Sequence, residues 1–339
     1  MSKIRLGGIK AFENRAYLTS LCRPEEDAVA DICARLAADR ININLLTHIA
    51  DNGLSESITV ACTESSEAFS SYVSWKVCHG TCRVGELLTD ISMISVFPHD
   101  RKLDVIGSLI NIVGGYGIRS HGFASSPSSI TILAPSSDFQ SVIDGLFDAF
   151  EFPGYQSPLD WHAAYHGQEG LLKEIVCSYQ EQIIKVYDYT HQIDLDLWTL
   201  SLPLDRLCDL GAVFLELGTL QCRMPFLVSR SSPDGENMWF AFCLAVEDRD
   251  RVAQVIGQRL ADFGRHCESP VSVFFVHGPH FGDRFGIINA LVGALRSAGI
   301  PVLSMSYAVS SISVVVPGDD SNRTMEALKS SFQVPAGKY

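Results

Sequence analysis

The sequence lacks several features that would assign the protein to a common class. The N-terminal residues contain no apolar core of signal-peptide length, and no uncharged apolar run approaches the ~20 residues that a membrane helix needs. No cluster of Lys and Arg stands out against a net charge of −13, which argues against binding to nucleic acid or to an anionic membrane. We therefore expect a cytoplasmic protein that binds neither nucleic acid nor a membrane.

Motifs of familiar enzyme classes are also missing. The glycines at 114–117 follow a predicted helix instead of opening one, so they do not form a Walker-type phosphate loop, and no Gly-x-Ser-x-Gly elbow occurs. The ten cysteines are scattered and several fall within apolar patterns, as expected for reduced, buried thiols. Cys78 and Cys82 form the only close pair, whereas a structural zinc site usually needs four ligands. The sequence thus predicts no catalytic residue, no metal site and no cofactor.

Histidines offer two further candidate sites. His162 and His166 would share one face of a helix with Glu169 close by, which is a conceivable metal cluster. Solvated histidines on a linker helix are the favoured interpretation. His277 and His280 flank a glycine-containing loop and could touch a ligand, although loop histidines without a ligand are commoner.

What the sequence does contain is an internal repeat. Residues 91–153 align without a gap on residues 273–335, so that Pro135 and Pro317 lie 182 positions apart, as do Phe150 and Phe332. Apolar periodicity gives the order strand, helix, strand, strand, helix, and this order occurs four times along the chain. The order predicts an α+β fold of four ferredoxin-like modules in two repeated pairs, each with its helices on one face of an antiparallel sheet.

The predicted boundaries follow from the repeat. Half A (1–153) and half B (184–339) are joined by a connector, and Ser157 to Asp160 reads as the capped start of a connector helix. The four modules are expected at residues 1–75, 84–153, 184–265 and 270–335, with the partly helical connector at 154–183. Elements that the structure can test include predicted strands at 41–49, 91–96 and 118–123 and a predicted helix at 285–297.

Several segments are similar to the regulatory region of aspartokinases. They are Asn14-Arg15-Ala16-Tyr17-Leu18-Thr19, Ile41-Asn42-Ile43-Asn44 and Ser310-Ser311-Ile312-Ser313-Val314-Val315-Val316. The chain therefore resembles tandem ACT domains, as in that region or in the separate regulatory chains of some aspartokinases, without the kinase domain. The resemblance implies a non-catalytic regulatory protein that binds a small amino acid where modules meet. It also implies a homo-oligomer or association with an amino-acid-biosynthetic enzyme.

The resemblance also implies a site. In that family the ligand's carboxylate binds N–H groups at a helix start, and its ammonium group binds Asn or Asp near the second strand. Only the fourth module has glycines in the loop before its first helix, and only the first module has the Ile-Asn-Ile run. The predicted ligand-binding residues are Asn42, Asn44, Thr47, Gly282, Asp283, Arg284, Phe285, Gly286 and Ile287. They serve one ligand only if modules one and four meet. The alternative is a binding-deficient scaffold that mediates association alone.

Overall fold

The structure, a computed structural model, describes residues 3–23, 26–50, 57–77, 82–166, 184, 186–278, 281, 285–308 and 311–332. These residues form a mixed α/β fold. The strands are β1 (Ile4–Arg5), β2 (Gly8–Cys22), β3 (Leu45–Ile49), β4 (Ser57–Glu64), β5 (Arg83–Phe97), β6 (Gly122–Ser125), β7 (Ile130–Pro135), β8 (Phe150–Glu151), β9 (Asp188–Pro203), β10 (Phe226–Ser231), β11 (Asn237–Ala245), β12 (Arg265–His277), β13 (Ser304–Ala308) and β14 (Ser311–Pro317). The helices are α1 (Ala28–Ala38), α2 (Ser65–Val77), α3 (Leu103–Gly115), α4 (Phe139–Ala149), α5 (Pro158–His166), α6 (Leu207–Thr219), α7 (Arg249–Arg259), α8 (Ile287–Ser297) and α9 (Ser321–Ser331).

The strands form one large sheet and one small one. β1 pairs in parallel with β8, and the others close on themselves in the order β10-β11-β9-β12-β14-β13-β3-β4-β2-β5-β7-β6. Two junctions join distant parts of the chain. β13 pairs with β3 along five residues, and β10 pairs with β6 at Val228 and Ala124. The first junction brings the N-terminal quarter of the chain beside its C-terminal quarter.

Helices cover the outside of this sheet in two layers. The side chains of α1 and α8 share a core with Phe274 and Val276 of β12, whereas α3, α4, α6 and α7 belong to a second core. Val273 and Phe275, the alternate residues of β12, point into a separate inner core between opposite walls of the sheet. Strands buried on both faces lose the polar–apolar alternation, which is why β7 is apolar apart from Thr131. Among the described residues, no helix is long and apolar enough to cross a membrane.

Equivalent elements recur at the spacing of the sequence repeat. α4 and α9 begin and end 182 residues apart, and each follows a 3₁₀ turn, at Ser136–Asp138 and Gly318–Asp320. The predicted connector contains α5, whose buried Trp161 donates from Nε1 to the carbonyl of Ile9. Residues 167–183 lie outside the described part of the chain.

Two predicted strands begin later than expected, for the same reason. The prediction placed strands at 41–49 and 118–123, whereas β3 begins at Leu45 and β6 at Gly122. Arg40 and Gly117 adopt φ values of 59° and 64°, and the next N–H donates back to a helix carbonyl: Ile41 to Leu36 and Ile118 to Val113. These residues therefore cap α1 and α3 instead of extending the strands.

Other predicted bounds are too short or too long. The strand predicted at 91–96 is the second half of β5, a 15-residue strand. β5 pairs with β2 along most of its length and also with β7 through its second half. The helix predicted at 285–297 begins at Ile287, because Gly286 is in the left-handed conformation with φ 82°.

Candidate ligand-binding site

The candidate site lies between α1 and α8, which the sheet holds side by side. β3 follows α1 and β13 follows α8, and these strands pair antiparallel, with Leu46 opposite Tyr307 and Thr47 opposite Ser306. α1 begins at the N-cap Asp27, whose carboxylate accepts the N–H of Ala30 at 2.9 Å. Both helices pack their apolar faces on the same core, so their adjacent flanks face each other across a gap.

The start of α8 provides hydrogen-bond donors at one end of this gap. Gly286 is the N-cap residue, and its carbonyl accepts the N–H of Ala290 at 3.0 Å. Glycine has no side chain to cap the first turn, so the N–H groups of 287–289 have no partner from the cap residue. A Cβ on Gly286 would lie 4.0 Å from the Cβ of Ala37, which shows how closely α1 approaches. A helix start of this kind favours an anionic group.

A shallow cleft with about 10 Å³ of free space lies in the gap. Its walls are largely apolar, with polar groups from Asn42, Asn289 and the backbone at Gly286. The lining residues are Cys33, Ala37, Ile41, Asn42, Ile43, Gly286, Ile287, Ile288, Asn289 and Tyr307. Burial raises the pKa of the Cys33 thiol far above its ordinary value, and the charge of Asp27 acts in the same direction. The thiol is therefore neutral and contributes an apolar surface. The Tyr307 hydroxyl donates to the carbonyl of Phe281, which fixes the ring at the floor of the cleft.

The structure brings together part of the predicted site. Asn42, Gly286 and Ile287 line the same cleft although they come from opposite ends of the chain. Asn44 is adjacent but does not line it; its N–H donates to the carbonyl of Cys62, and its buried Oδ1 has no hydrogen-bond partner. Thr47 is fully buried on the face of β3 that Leu45 and Ile49 share, opposite the helices.

The remaining predicted residues contribute less. Phe285 is described but does not line the cleft. Gly282, Asp283 and Arg284 lie outside the described residues.

Several lining residues were missed by the sequence analysis. Cys33 and Ala37 lie on the flank of α1 and follow the apolar spacing of a core helix, so nothing in the pattern distinguishes them from core residues. Asn289 had a detectable signal, because it lies three residues after Gly286 and therefore within the first turn of α8.

A second pair of helices, α3 and α6, has the equivalent position beside the β6–β10 junction. Here the helices touch through glycines: a Cβ on Gly107 would lie 2.7 Å from the carbonyl oxygen of Gly211, and a Cβ on Gly211 would overlap the amide of Asn111. A Cβ on Gly114 would likewise lie 2.8 Å from Cys208 Sγ. At these positions no side chain fits between the backbones of α3 and α6. This pair of helices therefore has no cleft at its glycine contacts, whereas α1 and α8 line one.

The other sequence candidates have local partners. His162 Nε2 shares a 2.9 Å hydrogen bond with Gln140 Oε1, and His277 Nδ1 shares one of 2.7 Å with Ser311 Oγ. Glu169 and His280 lie outside the described residues. The expectation that the cysteines are reduced is wrong for one pair, since Cys22 and Cys82 form a disulfide. Sequence reasoning missed it because the pairing depends on which strands lie side by side.

Comparison with known proteins identifies the fold. The sequence model of the ACT domain family matches residues 267–330. No curated protein matches the sequence. The structure is similar to that of an aspartate kinase from Synechocystis, with a TM-score of 0.78 and 12% identity over 98% of this chain and 57% of that one.

Weaker similarities include the regulatory subunit of aspartate kinase from Thermus thermophilus, with a TM-score of 0.39 and 15% identity over 44% of this chain and 99% of that one. They also include E. coli aspartokinase III in complex with lysine and aspartate, with a TM-score of 0.33 and 17% identity over 44% and 34%.

These comparisons correct the prediction of a non-catalytic protein. The sequence predicts a regulatory chain without the kinase domain and no enzyme. That assignment is wrong, because over 98% of its length the structure resembles an aspartate kinase. The exclusion relied on the absence of phosphate-loop and nucleophile motifs and on the resemblance of the sequence to the regulatory region of aspartokinases without the kinase domain. The chain spans about 57% of the length of the aspartate kinase it resembles. What the comparisons do confirm is an ACT domain within an aspartate-kinase-like fold.

Proposed function

We propose that this chain supplies the amino-acid-controlled part of an aspartate-kinase-like enzyme, and that a small amino acid binds in the cleft between α1 and α8. The observation that carries the proposal is the meeting of Asn42 with Gly286 and Ile287 in one cleft. The fold-level similarity to an aspartate kinase supports the enzyme class.

Four ACT-type modules account for the architecture. The helices α1, α3, α6 and α8 are each followed, two residues after their last residue, by a residue with φ near +60°. These residues are Arg40, Gly117, Gln221 and Gly299. In each case the following N–H donates to a carbonyl five residues earlier, as Cys222 does to Leu217 and Ile300 does to Leu295. One capping pattern at four equivalent positions supports four copies of one module. The first and second modules are joined through their sheets, because β2 and β5 pair along nearly their whole lengths.

The cleft suits a small zwitterion. The N–H groups at the start of α8 would receive the carboxylate, and the amide oxygen of Asn42 would accept from the ammonium group. Ile41, Ile43 and Ile288 would then surround the side chain. The free space in the cleft is about 10 Å³, roughly enough for one water molecule, so an amino acid would have to shift α1 relative to α8 when it binds. Because the two halves of the site come from different ends of the chain, binding would tie α1 to α8.

The test combines binding with activity. Calorimetry against each of the twenty amino acids should find at least one that binds, and the same amino acid should change ATP-dependent phosphorylation of aspartate by the enzyme to which the chain belongs. Asn42→Leu removes an ammonium acceptor and should weaken binding roughly tenfold or more, since a charge-assisted hydrogen bond contributes about 1.5–3 kcal/mol. Absence of binding by any amino acid would refute the ligand, and binding that leaves aspartate phosphorylation by that enzyme unchanged would refute the control.

A matched pair of variants tests the position of the ligand. Ala37→Leu adds a side chain at the wall of the cleft, whereas Ala38→Leu adds the same group to the next, exposed residue of α1. Binding should be lost in the first variant and retained in the second. Equal affinities in the two variants would place the ligand elsewhere.

A further inference from the structure

The disulfide between Cys22 and Cys82 stands at one end of the β2–β5 ladder. Cys22 is the last residue of β2, and Cys82 immediately precedes β5. The last pair in the ladder is Leu21 with Arg83, so the two cysteines occupy the next cross-strand position, with their Cα atoms 4.4 Å apart. Both are buried, and they pack against Ala28, the first residue of α1.

The ladder beside the disulfide is irregular. Its register shifts between Leu18 and Ser20, and the N–H of Glu86 donates to the side-chain oxygen of Thr19 at 2.7 Å instead of to a backbone carbonyl. Gly85 packs so closely that a Cβ there would overlap the side chains of Thr19 and Leu21. The first residues of β5 therefore have fewer backbone hydrogen bonds to β2 than a regular ladder supplies, and the disulfide closes this end.

The disulfide and helix α2 contact opposite ends of α1. At the start of the helix, the disulfide packs on Ala28. At its end, Tyr72 and Trp75 of α2 form a bridge: the Tyr72 hydroxyl donates to the carbonyl of Gly85 at 3.3 Å, and Trp75 Nε1 donates to Asp39, the C-cap of α1, at 3.0 Å. Thr19, Asp31 and Trp75 line a shallow groove where β2, α1 and α2 meet. Because α1 also forms one wall of the cleft, a shift of the helix would change the cleft.

We propose that Cys22 and Cys82 form a reversible thiol–disulfide site that sets the position of α1 and thereby controls binding in the cleft. The part that concerns the cleft rests on the function proposed above. In a cytoplasmic protein a disulfide is usually transient and redox-sensing, so a cytoplasmic location would favour a switch over a permanent cross-link. The reagent class is a dithiol. One thiolate of the dithiol attacks a protein sulfur, the Cys22–Cys82 bond breaks and a mixed disulfide forms. The second thiol then releases the protein. Two electrons and two protons pass to the cysteines, and the dithiol becomes a disulfide.

The first experiment measures the switch without any ligand. The full chain is oxidised or treated with dithiothreitol, labelled with iodoacetamide for mass spectrometry, and examined by hydrogen exchange. Reduction should label both cysteines and speed exchange in α1 and at the start of β5. The double variant Cys22→Ser/Cys82→Ser should exchange like the reduced protein with or without dithiothreitol, and Cys208→Ser, which changes an exposed free cysteine, should respond like the wild type. Unchanged exchange in α1 on reduction of the wild type overturns the proposal, and this comparison needs no variant to fold.

A bound metal ion is the competing explanation. The carboxylate of Glu26 lies near both sulfurs, and the three ligand atoms are within 4.8 Å of one another. Native mass spectrometry of the purified protein should show no bound ion and two fewer protons in the oxidised than in the reduced state. A stoichiometric zinc ion that chelator removes would overturn the redox proposal in favour of a metal site.

The second experiment adds the amino acid identified by calorimetry. Affinity should differ at least about fivefold between oxidised and reduced wild type, the lower end of typical allosteric coupling, and should not respond to dithiothreitol in the double variant. Equal affinities in the two redox states would overturn the control of the cleft. If no amino acid binds in either state, the proposed ligand fails while the exchange experiment still decides whether the thiol pair moves α1.

Discussion

Lowering the pH from 7 to 5 should destabilise the protein through the buried histidine His48. This residue of β3 is 5% exposed, and its Nδ1 shares a 2.9 Å hydrogen bond with Thr59 Oγ1. Burial lowers the pKa of His48 to about 3; the charge of Arg230 acts in the same direction, and a backbone hydrogen bond opposes them. The native state therefore keeps this ring neutral throughout the range from pH 7 to 5.

His99 should act in the same direction. It is fully buried, its Nδ1 accepts the N–H of Arg101 at 3.1 Å, and its Nε2 donates to the carbonyl of Ser126 at 2.8 Å. A protonated ring could not accept from Arg101, so the native contacts need the neutral form. Burial is the main reason that the pKa of His99 is lowered.

The direction and size of the change in stability with pH follow from proton linkage. An unfolded histidine has a pKa of about 6.5, so the unfolded state takes up protons below that pH while the native rings do not. Stability should be flat with respect to these groups above pH 6.5 and should fall below it. The slope is about 1.36 kcal/mol per pH unit for each histidine, which amounts to about 2 kcal/mol for His48 alone between pH 6.5 and 5. The contribution of His99 ends where the pH reaches its folded pKa.

Urea unfolding at several pH values between 7.5 and 5 measures this slope. His48→Gln removes one titrating group and should reduce the pH dependence of the free energy of unfolding by the share of one histidine. His266→Gln, at an exposed position in β12, is the control and should leave most of the slope in place. A wild-type stability that stays constant from pH 6.5 to 5, or a slope that His48→Gln leaves intact, would refute this reasoning.

Three other substitutions test single contacts. Gly211→Val should destabilise the protein by about 1–3 kcal/mol in thermal unfolding, because its side chain would overlap Asn111 and the backbone of the neighbouring helix. Asp196→Asn should cost about 1.5–3 kcal/mol in urea unfolding, because the fully buried Asp196 carboxylate accepts two hydrogen bonds from Arg249, at 2.8 and 2.6 Å. Asp27→Ala removes the N-cap of α1 and should cost about 1 kcal/mol, with increased hydrogen exchange in the first turn of that helix.

Each of these substitutions has a control on the same chain. Gly115→Val places the same side chain on α3 where no atom lies within 4 Å, and it should be tolerated better than Gly211→Val. Glu216→Gln disrupts a more exposed ion pair with Arg259 and should cost under about 1 kcal/mol. Asp27→Ser keeps a capping oxygen and should restore most of the stability lost in Asp27→Ala. If a variant and its control lose the same free energy of unfolding, the contact assigned to that variant is wrong.

Local signals in the sequence were sufficient for the order of the elements and for the helix start at Gly286. The apolar stripe from Val142 to Phe150 predicted a helix, and α4 spans Phe139–Ala149. The glycine before α8 predicted a helix start with free donors, and Gly286 does occupy the N-cap in the left-handed conformation. These features depend on neighbouring residues along the chain, which is why periodicity and turn chemistry could find them.

Features that depend on strand register could not be predicted. Thr47 was expected beside Asn42 and Asn44, but β3 begins at Leu45 and its alternation turns Thr47 toward the inner core. The disulfide depends on a register that places Cys22 opposite Cys82 across 60 residues of sequence. Disulfide connectivity in general does not follow from cysteine spacing alone.

The two equivalent helix pairs differ in a way that assigns them different mechanical roles. α3 and α6 meet through Gly107 and Gly211, where backbone atoms are already at contact distance, so this pair has no room to close further. α1 and α8 are less closely packed: a Cβ on Gly286 would meet no atom nearer than the Cβ of Ala37, at 4.0 Å, and the two helices line a shallow cleft with largely apolar walls. A ligand that shifts α1 relative to α8 would therefore move one pair of helices against a second pair that stays fixed. If the proposed ligand binds between α1 and α8 alone, calorimetry should give one ligand per chain, and a stoichiometry of two would mean that the glycine contacts between α3 and α6 open in solution.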